Sequence, residues 1–185
     1  MSVGFCDTDA LYDRMTRTYC FDALSGDDYF IDYQNLYTHL GVMSVRGLFC
    51  NAADVFIREG ELLKAEQMLD RGCQTMKNYP LETIPLGFSG NDYVVISMVD
   101  AYYRIGCKDK ARELGTDLGV QLLETSRFYL GLYDYAQQDF ELAANYIFYL
   151  NDVFEKYGDK QLADKLDESF SALVKVATGQ QENES

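Results

Sequence analysis

The chain has 185 residues, 48% of them apolar or aromatic, enough to bury a core and to exclude a wholly disordered polypeptide. Thirty acids against sixteen Lys and Arg leave a formal charge of −14, which argues against nucleic acid or an anionic membrane surface as partner, because phosphate attracts cations. Two prolines in all, Pro80 and Pro85, point to helices rather than a turn-rich sheet. No run of about twenty apolar residues is present, so this chain is not expected to insert into a membrane. Its opening, Met1 to Asp7, lacks the basic and apolar segments of a signal peptide.

In chain order, residues 1–34 form a non-repeating N-terminal cover. A first helix is expected from Asp9 to Phe21, with Tyr12, Met15, Tyr19 and Cys20 at helical spacing, and Tyr29-Phe30-Ile31 as an apolar knot. Residues 35–158 read as three helix pairs. The first has a helix over 35–58 and another over 61–78, whose inward side is Leu62, Ala65, Met68, Leu69, Gly72, Cys73 and Met76. Pro80, Pro85, Gly87 and Gly90 make 78–91 a surface loop, either a binding element or a tolerated insertion. The second pair covers 92–105 and 109–125, with Gly115 and Gly119 allowing close helix approach. The third covers 126–137 and 140–157, with Asp139 at the turn. A capping helix over 159–178 follows, its core Lys160 to Ala177, and 179–185 is a polar, disordered tail.

The repeat is visible directly. Phe56-Ile-Arg-Glu-Gly60-Glu-Leu-Leu-Lys-Ala65 returns 46 residues later as Tyr102-Tyr-Arg-Ile-Gly106-Cys-Lys-Asp-Lys-Ala111. A looser copy starts at Tyr135 and ends at Ala144. Self-similarity at a fixed offset marks stacked like units, so the fold class is all-α, a helical repeat array with capped ends.

Little here suggests chemistry. Five cysteines (Cys6, Cys20, Cys50, Cys73, Cys107) form an odd set without CxxC spacing, which disfavours both a metal site and a disulfide framework. Cys50 and Cys73 read as small buried residues on facing helices. His39 is the one histidine, too few for a nucleophile–base constellation built on imidazole. No catalytic residue, cofactor or metal ligand is assigned, and the chain is not expected to be an enzyme. The candidate partner-binding residues are Asp54, Arg58, Asp100 and Arg104, two pairs at i, i+4 on leading helices, with Tyr129 and Tyr133, an aromatic patch on the third unit. The charged pairs read either as exposed ion pairs or as a polar row facing a protein or peptide segment. Self-association is the other partner expected.

The register resembles the tetratricopeptide pattern. Ala53, Phe56, Gly60 and Ala65, then Val99, Tyr102, Gly106 and Ala111, take its small, aromatic, turn and small positions; its tryptophan and terminal proline are missing. Over nearly the whole chain, Tyr12-Asp13, Phe21, Tyr29-Phe30-Ile31-Asp32, Arg46, Phe56-Ile-Arg-Glu-Gly60 and Asp100-Ala-Tyr-Tyr-Arg104 resemble the C-terminal soluble region of a bacterial family. Its members are multi-pass membrane proteins similar to protein O-mannosyltransferases. The resemblance implies a non-catalytic accessory tail at the periplasmic face of the inner membrane, the catalytic acids lying elsewhere in the parent. The alternative is a free-standing cytoplasmic adaptor of tetratricopeptide type.

Overall fold

The computed structural model describes residues 7–27, 42–75, 77–81 and 93–181, and every regular element among them is helical. In order these are α1 (Thr8–Asp13), a π-helical turn (Arg14–Thr18), a 3-10 turn (Phe21–Leu24), α2 (Val42–Arg58) and α3 (Leu62–Gln74). Then come α4 (Val94–Arg104), α5 (Lys108–Leu130), α6 (Tyr133–Lys156) and α7 (Lys160–Gln181). Contacts group the chain into two compact units, residues 1–80 with 100–111 and residues 81–99 with 112–185.

Three helix ends share one geometry. Gly60, Gly106 and Gly158 all take the left-handed conformation, with φ of 79°, 84° and 81°, where a side chain would be strained. At each, the glycine N–H donates to the carbonyl three residues back, Ile57, Tyr103 or Glu155, at 3.0–3.1 Å. The next N–H, of Glu61, Cys107 or Asp159, reaches the carbonyl of Phe56, Tyr102 or Phe154 at 2.8–2.9 Å. This is the pair of hydrogen bonds that satisfies orphan carbonyls at a helix C-terminus. The following helix then opens with the N–H of Ala65, Ala111 or Ala163 on the carbonyl of Glu61, Cys107 or Asp159. The three aromatics and three alanines are at most 2% exposed.

The third copy is therefore Phe154…Gly158…Ala163, not the stretch from Tyr135 to Ala144. Asp139 sits inside α6, which carries no turn there. The chain reverses earlier, at Gly131 and Leu132 between α5 and α6, and Ala136 (φ −130°, ψ 31°) breaks the first turn of α6. Asp139 has neighbours that propagate a helix, and Glu141 to Tyr149 bury a continuous face, so packing overrides the local turn preference. α5 runs on to Leu130 rather than Thr125, and α7 continues through Gly179 to Gln181 where a disordered tail was expected.

In the first unit α2 packs on α3, with Phe49, Ala52, Ala53 and Phe56 against Ala65, Met68 and Leu69 as buried members. Leu62, expected inward, is exposed. α1 is shorter than the helix expected over Asp9–Phe21. Asp7 caps it by accepting from the Ala10 N–H at 3.0 Å, and the extended backbone of Tyr19 stops it after the π turn. Of its expected inner face only Met15 is buried, while Tyr12 meets Phe56 edge-on at 6.1 Å. Arg46 is 1% exposed and donates to the Tyr79 and Pro80 carbonyls, so the start of the inter-helix loop is fixed by a buried guanidinium. The rest of that loop, the knot at 29–31, His39, Met76 and residues 182–185 lie outside the described residues.

In the second unit α6 packs on α7. A Cβ on Gly115 would lie 2.7 Å from Phe154 Cζ, so α5 can approach Phe154 only without a side chain there. Replacing Gly60, Gly106 or Gly158 by Ala should each cost about 1 kcal/mol in urea unfolding, from the left-handed backbone alone. Gly26→Ala, with open space around it, should cost nearly nothing.

Candidate functional site

The charged candidates do pair, but not within their helices. Asp54, on the last turns of α2, meets Arg104 at the end of α4, Nη1 to Oδ1 2.6 Å. Arg58, one turn on from Asp54, instead donates Nε–H to the Asp54 carbonyl at 3.2 Å. The expected i, i+4 bridge of Asp54 with Arg58 is thus replaced by a bridge between helices, because Arg104 brings its guanidinium to the same carboxylate. Asp100 is half-buried on α4, one turn before Arg104. Below them lies Cys50, buried, its thiol pushed up to about 12 by burial and the Asp54 carboxylate, with Arg104 opposing. Such a thiol is held neutral and packs as an apolar group.

A second set escaped the sequence reading. Lys110, at the start of α5, places Nζ 2.7–2.8 Å from Glu66 Oε1 and from both Asp70 oxygens on α3. Tyr102 donates its hydroxyl to Asp70 Oδ1 at 2.9 Å and lies 3.7 Å from Cys73 Sγ. Asp70 and Glu66 hold the Lys110 ammonium well above the ordinary lysine range, and Lys110 holds Glu66 below the ordinary carboxylate value. Burial, first of all, raises the Tyr102 phenol. The same position one turn motif earlier is Lys64, whose Nζ is 2.9 Å from Asp9 and 5.8 Å from the Phe56 ring. Lys110 likewise stands 6.0 Å over Tyr102. The signal was in the sequence: a lysine follows the aromatic by eight residues in both copies.

The aromatic candidates belong to the second unit. Tyr129 is half-buried at the end of α5, edge-on to Phe128 at 5.4 Å. Tyr133 opens α6, is 37% exposed and meets Phe140 edge-on at 5.7 Å. Their neighbours Phe128 and Tyr135 are more exposed than either, at 63% and 93%, and were missed because local sequence does not show which ring the turn at Gly131 throws outward. The corrected third copy adds Asp152 and Lys156 on α6, at the register positions of Asp54/Arg58 and Asp100/Arg104.

Among the described residues, no cluster of His, Cys, Asp and Glu could hold a metal ion, and no helix is long and apolar enough to cross a membrane. Comparisons with family models, curated proteins and solved structures gave no match to the chain.

Lys110→Met should destabilise the chain by about 1 kcal/mol at neutral pH, the upper range for partly exposed pairs. Glu66 titrates below its ordinary 4.5 when folded, so its share of stability is present above that value and lost as pH falls through the folded one. The gap between wild type and variant should accordingly shrink in urea titrations run progressively below pH 4.5. A gap constant down to pH 2 would show that the ion network contributes nothing.

Proposed function

We propose that the chain is a non-catalytic helical-repeat interaction domain of tetratricopeptide type, whose partner is a protein or peptide segment. The observation that carries this reading is the threefold recurrence of one helix–glycine–helix turn with its buried aromatic and alanine. A repeat of that kind sets equivalent side chains at equivalent places on successive leading helices. Here those positions hold Asp54/Arg58, Asp100/Arg104 and Asp152/Lys156, an acid and a cation in each copy, suited to a polar backbone or charged side chains. The exposed rings of Phe128, Tyr133 and Tyr135 add the flat, amphipathic surface on which interfaces concentrate their energy.

Within this reading the chain is the accessory tail of a membrane protein similar to protein O-mannosyltransferases, as the motifs around Tyr12, Phe56 and Asp100 suggest. Protein or glycan-acceptor segments would then be its cargo. A second reading, a free-standing adaptor in a reducing compartment, is favoured by the free thiols of Cys20, Cys50, Cys73 and Cys107. The intact reading frame separates the two: apolar spans of about twenty residues belong to the first and not the second.

Partner binding should be measured with the immobilised chain and the captured polypeptide, purified. Tyr133→Ala with Tyr135→Ala is expected to weaken the complex about tenfold or more, the loss of one aromatic hot spot, with helicity by circular dichroism unchanged. Affinity that survives both this change and Arg58→Ala would remove the interaction surface from the account.

A further inference from the structure

The uncovered side of α6 and α7 has a template inside the same molecule. In the first unit, residues 100–111 lie over α2 and α3. They cover Cys50 on α2, 6% exposed beneath Asp100 and Arg104. They also bring Lys110 onto Glu66 and Asp70, and the Tyr102 hydroxyl onto Asp70. Counted from the turn glycine, Cys50 is ten residues before and Glu66 and Asp70 are six and ten after. The same count from Gly158 gives Phe148, Asp164 and Glu168.

These three are not covered. Phe148 is 51% exposed although Cys50 and Ile96, its register mates, are 6% and 5% exposed. Its ring meets Phe170 on α7 edge-on, 5.8 Å away. Asp164 and Glu168 are exposed, on the α7 face where α3 accepts its lysine. Asp167 stands where α3 has the fully buried Leu69, which adds a third negative charge. The earlier junction follows the same rule, since Lys64 reaches Asp9 of α1 as Lys110 reaches Glu66.

We propose that the α6–α7 face docks a helix–turn–helix segment of another polypeptide, carrying a tyrosine before the turn and a lysine eight positions later, after it. The helix that carries the aromatic would cover Phe148, its tyrosine hydroxyl would reach Glu168, and the lysine would bridge Asp164 and Glu168. The chain's own segments of that pattern are already engaged, Phe56 and Lys64 under α1 and Tyr102 and Lys110 on α3. A foreign segment fits this face without unfolding either. This docking rests on Phe148, Asp164 and Glu168, none of which the proposed function uses, so the two stand or fall separately.

The test uses a fluorescein-labelled peptide copying residues 94–125, with lactam bridges inside 94–104 and inside 108–125 and the Gly106 turn left free, titrated with the full chain and read by anisotropy. Saturable binding is expected, weakened about tenfold or more by Asp164→Lys with Glu168→Lys and by Phe148→Ser. A peptide with Lys110→Glu should recover affinity for the charge-reversed chain. No binding, or binding indifferent to these substitutions, overturns the proposal. So does a wild-type dimer in sedimentation that Phe148→Ser dissolves, which would assign the face to a second copy.

Discussion

One backbone constraint recurs at three helix ends of the described chain: a left-handed glycine with a buried aromatic four positions before it and a buried alanine five after. Glycine meets the first condition without a steric penalty. The aromatic carbonyl accepts the N–H beyond the glycine, so the ring that fills the core also fixes the exit of the chain. Alanine then lets the next helix start close by, at Ala65, Ala111 and Ala163. Any two of these conditions leave the reversal angle open; together they define it.

Charge is arranged around this constraint at the helix ends it creates. A lysine four residues after the glycine rises over the aromatic of its own turn and reaches acids two helices back, at Lys64 with Asp9 and at Lys110 with Glu66 and Asp70. At Gly158 the polarity is inverted: Asp159, directly after the glycine, receives both arms of Arg112. Each of these bridges is partly exposed and individually weak. Their effect is on register, because a slip of one helix position would bring like charges together in a chain that already carries an excess of fourteen negative charges.

The first two turns were legible because Phe56/Tyr102, Gly60/Gly106 and Ala65/Ala111 coincide in one alignment with lysine and arginine between them. The third was hidden by its lengthened offset, 52 residues against 46, and by the loss of its arginine and lysine. Tyr135 to Ala144 imitated it with an aromatic and a double alanine, but lacked a glycine. Helix ends were misjudged where packing decides, as in the extension of α5 past Thr125. The candidate residues were found as types and mispaired in space: i, i+4 spacing made Arg58 the natural partner of Asp54, whereas α4 supplies Arg104. No local pattern reveals which cation from a distant helix arrives first.

The most direct test is backbone NMR over residues 130–165. Couplings and chemical shifts should give Gly158 a positive φ and an unbroken helix from Gln137 to Lys156, with Asp139 helical. A left-handed or turn conformation at Asp139, or a right-handed Gly158, would contradict the threefold recurrence from which everything else follows.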